Sequence, residues 1–252
     1  MRGLAGKAGA IAGGGRGIGA ATATRLAEEG AAVVIGDIQE EWAQATATRI
    51  VEAGGRAVGV GLDICDPASV AALVETCLDQ FGSLDYFHAN AAGGTQGDVD
   101  ALTISLETFD RSIALNLRSY LICTQQAVPV MLEQGSGAML YTSSGAAYGG
   151  APWQVAYPTA KNGVHALMRH VAARYGKQGV RANVVCPGLV LTEAAIEHLT
   201  DEYREAGLKR AALPRLGKPE DLAAMAAFLM SDDAEWITGQ VFSVNGGMAM
   251  RD

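Results

Sequence analysis

Residues 8–37 read AGAIAGGGRGIGAATATRLAEEGAAVVIGD, and this stretch decides the fold. AGAIAG (8–13) is a short apolar run closed by glycines. GIGAATATRLAEEG (17–30) has helical spacing and ends on Gly30, a residue suited to a helix C-terminus. AAVVIGD (31–37) is β-branched, apolar and ends on an acid. Strand, glycine turn, helix and strand make the repeating unit of a parallel sheet. Gly13, Gly17 and Gly19 permit a tight turn and let an anion reach the bare start of the helix. There the free N–H groups and the helix dipole favour negative charge. No Lys-Ser or Lys-Thr follows, so the loop is not of the Walker type. Asp37 stands at the tip of the second strand, where a carboxylate accepts hydrogen bonds from ribose hydroxyls and repels a 2′-phosphate. Arg16 argues the other way, because a guanidinium can pair with that phosphate. No second cation flanks Asp37, so the loop predicts NAD in preference to NADP.

The same rhythm runs outward. RAVGVGLD (56–63), LDYFHAN (84–90), GAMLYTS (137–143), VRANVVCPG (180–188) and QVFSVNGG (240–247) bring the candidate strands to seven. Their near-continuous apolar character predicts parallel strands covered on both faces. Helical patterns lie between them, at 40–55 and at 66–82, the latter opened by Asp66-Pro67. The expectation is one domain over 1–252, a doubly wound α/β fold of the Rossmann type. Residues 189–215 break the rhythm. They read either as a lid over a ligand site or as a longer crossover.

Composition narrows the partners. The chain has 252 residues, a net charge of −8 and 49% hydrophobic residues. No basic run exists, which argues against nucleic acid. No apolar run approaches the ~18 residues of a membrane span. The N-terminus lacks a signal-peptide pattern, so a cytoplasmic location is expected. Cys65, Cys77, Cys123 and Cys186 are far apart and form no metal-ligand pattern, so no metal is expected.

Further motifs follow in order: Asn90-Ala91-Ala92-Gly93, Asn116, Ser144, Tyr157-x-x-x-Lys161, Pro187-Gly188 and Thr192. As an ordered set spanning the chain, they resemble the short-chain dehydrogenase/reductase family in its branch of roughly 250 residues. Three positions depart from the family's usual pattern: Ala12 where a Thr is common, His88 before the Asn motif, and Pro158 after the tyrosine. None removes a catalytic group. His88 reads as a strand residue rather than a ligand. Pro158 fits a helix's first turn and places Tyr157 at its entrance.

The resemblance implies a function. Tyr157 is the general acid/base, Ser144 steadies the substrate oxygen, Lys161 supports the phenolate, and the Asn116 side chain holds a water on a proton path. Bringing a phenol from pKa 10 to ~7 takes about 4 kcal/mol of differential stabilisation, which a neighbouring ammonium and a positive nicotinamide ring can supply. Cofactor contacts are implied at Gly13, Gly15, Arg16, Gly17, Ile18, Gly19, Asp37 and Ile38. They continue at Asp63, Ile64, Asn90, Ala91 and Gly93, and at Tyr157, Lys161, Pro187, Gly188, Val190 and Thr192. The expected reaction is direct hydride transfer between a secondary alcohol or ketone and NAD. Substrate contacts are expected at Ser144, Ala146, Tyr148, Trp153, Gly94, Leu189 and Ile196, with Thr95 and Gln96 nearby. This set predicts a roomy apolar pocket for a ring-bearing or medium-sized substrate, such as a hydroxysteroid or a cyclic or aromatic alcohol. No Arg or Lys is expected to face it. Alternatives are an NADPH-dependent 3-oxoacyl thioester reductase, an epimerase or dehydratase of the same fold, and a non-catalytic nucleotide sensor. The resemblance and the apolar helices around 107–132 and 158–176 predict a homotetramer.

Overall fold

Ala8–Ala12 is buried along its whole length and forms an interior strand, β1, in a computed structural model that describes residues 1–250. β2 (Ala32–Asp37), β3 (Arg56–Gly61), β4 (Tyr86–Ala89), β5 (Gly137–Thr142), β6 (Val180–Pro187) and β7 (Val241–Val244) complete one parallel sheet. The strand order is β3-β2-β1-β4-β5-β6-β7. All seven sequence runs become strands, each shorter than its run by one to four residues. The order reverses between β1 and β4, and a crevice opens at the carboxyl ends of strands at such a reversal.

Helices cover both faces, as continuous apolar strands require. On one face lie α1 (Gly17–Glu28), α2 (Glu40–Glu52) and, from the far end of the chain, α9 (Pro219–Met230). Leu26, Ile50 and Leu229 join Ile11, Val33 and Leu140 in the core of that face. The other face carries α3 (Pro67–Phe81), α5 (Ser119–Gln134) and α6 (Ala156–Tyr175), with Leu73, Tyr120 and Val164 packed on Val34, Phe87 and Val184. Asp66 caps α3 by accepting from the Ala68 N–H at 3.0 Å, as its Asp-Pro start predicts. α4 (Leu106–Ile113) precedes α5, and the turn between them, Ala114–Arg118, is π-helical. Residues 189–215 form α7 (Glu193–His198) and α8 (Asp201–Arg210). All four cysteines are free thiols. Among the described residues no helix is long and apolar enough to cross a membrane.

Candidate functional site

Two cavities meet at the carboxyl edge of the sheet. The larger, about 800 Å³, lies over the reversal between β1 and β4; the smaller, about 510 Å³, runs beneath α8 and residues 245–249. Ser144, Tyr157, Pro187, Gly188 and Leu189 border both and form their junction.

The glycine turn after β1 shapes the first cavity. Gly13 and Gly17 have φ of 81° and 57°, which a side chain would strain. A Cβ on Gly19 would lie 2.0 Å from the Gly13 carbonyl oxygen. The Asn90 amide holds that carbonyl at 2.8 Å, so β4 fixes the turn. Asp37 accepts from the N–H groups of Gly15 at 3.0 Å and Gln39 at 3.1 Å. Arg16 stacks over Trp42, 4.7 Å from the ring centre, and pairs with Glu197 of α7 at 3.0 Å. Glu193 of α7 accepts from the Gly17 N–H at 3.0 Å. A carboxylate thus engages the anion-seeking start of α1.

The junction is built on the entrance to α6. No side chain of its own first turn caps this helix. Asp98 does so from the loop after β4, accepting from Val155, Ala156 and Tyr157 N–H groups at 3.0, 2.9 and 2.8 Å. Tyr157 and Ser144 both border this junction. Desolvation raises the Tyr157 pKa above 10 and outweighs the opposing pull of the nearby Ser144 hydroxyl. Lys161 is fully buried, with Nζ 5.8 Å from the Tyr157 ring centre. It donates to the Tyr120 hydroxyl and to the Thr142 carbonyl, both at 2.9 Å. Burial pulls its pKa down to about 7.

Supporting polar groups form a second layer. Thr142 Oγ1 donates to Asn90 at 2.9 Å and therefore accepts from His88 Nε2, 2.8 Å away. That assigns the Nε2–H tautomer, leaving Nδ1 a bare acceptor. Burial lowers the His88 pKa to about 3, so it stays neutral. His165 Nε2 meets the Ser143 hydroxyl at 2.8 Å, and Ser143 donates to the Lys161 carbonyl at 3.0 Å. This ties the residue before Ser144 to α6.

Known proteins can now be set beside this geometry. The family model described as "Enoyl-(Acyl carrier protein) reductase" matches residues 12–249. A probable short-chain type dehydrogenase/reductase of Bradyrhizobium diazoefficiens is 40% identical over 96% of this chain and 87% of its own length. The chain belongs to the short-chain dehydrogenase/reductase family. Another relative is a 3-oxoacyl-[acyl-carrier-protein] reductase of Staphylococcus aureus, 36% identical over 97% of this chain and 98% of its own. Among solved structures, 7 alpha-hydroxysteroid dehydrogenase complexed with NADH and 7-oxo glycochenodeoxycholic acid superposes with a TM-score of 0.91. It is 32% identical and covers 97% of this chain and 95% of that one.

Within this short-chain dehydrogenase/reductase, most of the predicted residues converge. Gly13, Arg16, Gly17, Ile18, Asp37 and Ile38 line the larger cavity, as do Asp63, Ile64, Asn90, Ala91, Val190 and Thr192. Four expected contacts lie off its wall. Gly15 and Gly19 are used inside the turn, where a Cβ would strike Asp37 and the Gly13 carbonyl. Gly93 is held by Asn116, whose amide donates to the Gly93 carbonyl at 2.8 Å. Lys161 sits behind the wall, because a desolvated ammonium takes the nearest acceptors, Tyr120 and Thr142. The Asn116 side chain donates to the Gly93 carbonyl and to the Ser112 carbonyl at 3.0 Å, and its Oδ1 accepts from the Gly93 N–H at 3.3 Å.

Of the substrate set, Ser144, Ala146, Trp153 and Leu189 line the smaller cavity, and so does Thr95. Tyr148, Gly94 and Ile196 do not. Tyr148 packs on His165 with ring centres 5.3 Å apart, the nearest side chain to a Cβ on Gly94 is Leu115, and Ile196 is half-exposed. The expectation that no cation faces this pocket is overturned, since Arg210 lines it. Sequence reasoning also missed Tyr120, Asp98, Glu193 and Glu197. Tyr120 could have been found four residues after Asn116, on the same helical side.

Proposed function

We propose that this chain is an oxidoreductase that interconverts a secondary alcohol and a ketone with a nicotinamide dinucleotide, NAD in preference to NADP. The carrying observation is that Tyr157 and Ser144 together border the junction of two cavities, one suited to a dinucleotide and one to an organic substrate. The first cavity fits the cofactor on three counts. The start of α1 binds an anion, since it already binds a carboxylate. Gly17 leaves room beside Thr192, whose methyl a Cβ would approach to 3.0 Å. Asp37 keeps lone pairs free for a sugar diol after its two backbone bonds. Arg16, paired with Glu197, is engaged elsewhere than on a 2′-phosphate, which supports NAD.

Gly13, Gly17 and Ile18 would hold the pyrophosphate, Asp37 the adenosine ribose, Asp63 and Ile64 the adenine, and Pro187, Gly188, Val190 and Thr192 the nicotinamide side. Bound there, the cofactor supplies a hydride acceptor or donor and, when oxidised, a positively charged ring. Ser144 Oγ hydrogen-bonds the substrate oxygen. Tyr157 Oη takes the alcohol proton in oxidation and returns it in reduction. Lys161 opposes the desolvation that raises the phenol's pKa, placing a charge near the forming phenolate. Asn116 fixes the Gly93 loop above it. α7 and α8 act as the lid.

Tyr157→Phe tests this reading. NADH binding, followed by fluorescence, should survive, while kcat falls about 10²–10⁴-fold. Retention of most activity would refute the assignment. A 3-oxoacyl thioester reductase is the second reading, favoured by the Staphylococcus aureus relative. A kcat/KM favouring NADPH and an acyl thioester would select it.

A further inference from the structure

The smaller cavity bears on which alcohol enters, and the inference rests on the reading of Ser144 and Tyr157 just given. Its walls are mainly apolar, with Ala146, Ala151, Trp153, Leu189, Ala206 and Met248 among them. Among the described residues that line it, Arg210 is the one charged side chain; no Asp, Glu or Lys faces the space. Arg210 does not border the cofactor cavity. It is the last residue of α8 and is exposed, with no ion pair or side-chain hydrogen bond to another described residue. Other arginines are committed: Arg16 to Glu197, Arg25 to Glu29, Arg215 to Asp221. One turn back from Arg210 on α8 stand Ala206 and Gly207, so no acid lies there to neutralise it. A cation at the carbonyl end of a helix also complements the helix dipole. Lys209, in the same turn, serves that purpose without lining the cavity. The dipole therefore does not account for Arg210 facing the pocket.

A guanidinium beside an apolar space recognises a carboxylate best, through two parallel N–H···O bonds. We infer that Arg210 is the anchor for an acid group on the substrate. The substrate is then a secondary alcohol or ketone whose apolar body carries one carboxylate remote from the reacting carbon. Ser144 and Tyr157 hold the oxygen at the junction, the apolar walls take the body, and Arg210 takes the acid.

Two matched pairs of probes test this: a hydroxylated steroid acid with its methyl ester, and 4-hydroxycyclohexanecarboxylate with its methyl ester. The acid should have the lower KM, by several-fold to about tenfold, the scale of a charge contact made by an exposed guanidinium. Arg210→Gln should remove that preference, leaving the ester's KM and both kcat values little changed. Arg210→Lys should restore part of it. Esters and acids turned over alike by the wild type, or a preference that survives in R210Q, would overturn the assignment and leave the oxidoreductase reading standing. The converse result separates the two readings. Acid binding to the NADH-loaded protein, seen by calorimetry and lost in R210Q without turnover of either probe, would uphold Arg210 and refute the proposed reaction.

Discussion

Lys161 places an ammonium where water does not reach, and its titration shows what that costs the fold. A lysine in an unfolded chain titrates near 10.5, and burial brings Lys161 down to about 7. Between those values the folded chain binds fewer protons than the unfolded one, so stability rises as pH climbs through the window. Below about 7 both states are charged and the penalty is full and constant. Lys161→Met removes the charge. The hydrogen bonds lost to Tyr120 and Thr142 lower stability about equally at every pH, but the desolvation relief does not. The variant should be inactive, yet most favoured over wild type near pH 6–7, by an amount on the order of a few kcal/mol before the hydrogen bonds are counted. That advantage should shrink steadily toward pH 10.5. Urea titrations from pH 6 to 10 would show it, and a difference that stays flat with pH would refute it. At this scale the sequence was most legible where the chemistry is local. Tyr157 and Lys161 announce themselves by spacing. Tyr120 does not, because its importance comes from a lysine 41 residues away that touches its hydroxyl.

The elements that carry these residues are held from outside themselves. α6 opens on Val155, a residue that cannot cap, and the missing cap arrives from Asp98, 59 residues before Tyr157. An anion on three N–H groups satisfies orphan donors and complements the dipole at once. Asp98→Ala should therefore cost about 1–2 kcal/mol in stability. It should also lower kcat more than it changes NADH affinity, because the backbone it releases is that of Tyr157. Asp98→Asn should recover part of both losses, and unchanged kcat in the alanine variant would argue against the role. α7 acts on the glycine turn in a similar way. Glu197 neutralises Arg16, so Glu197→Gln should free that guanidinium for a 2′-phosphate. The ratio of kcat/KM for NADP over NAD should rise several-fold to about tenfold, the scale of one exposed charge contact. Initial rates with the two cofactors would decide it, and an unchanged ratio would mean that Asp37 alone sets the preference. Neither contact had a sequence signature. A charged residue in a loop or short helix reads as solvated until the fold brings it against a backbone far away in the chain.

For the molecule as a whole, the parallel sheet was legible because each strand is a dense apolar run between glycines and polar caps, and burial on two faces demands that pattern. The cofactor cavity was legible too, since its walls are strand ends in a fixed order. The substrate cavity was only half so. Ala146 and Trp153 follow Ser144 closely, but Tyr203, Arg210 and Met248 reach the pocket only because α8 and residues 245–249 fold back over it. Assembly is the remaining question at this scale. The family resemblance implies a homotetramer, and the surface supplies a means of testing it. Trp236 is 96% exposed and Leu102 95%, so neither packs within its own chain. Tryptophan is among the residues enriched in contacts between proteins. Light scattering at micromolar concentration should give four times the chain mass. Trp236→Lys should leave far-UV circular dichroism and monomer stability unchanged, because the indole supports nothing inside the chain, while shifting the scattering mass toward smaller species. A wild type that scatters as a single chain would overturn the tetramer. A tetramer indifferent to Trp236→Lys would retain the assembly and move its contacts elsewhere, with Leu102 the next side chain to change.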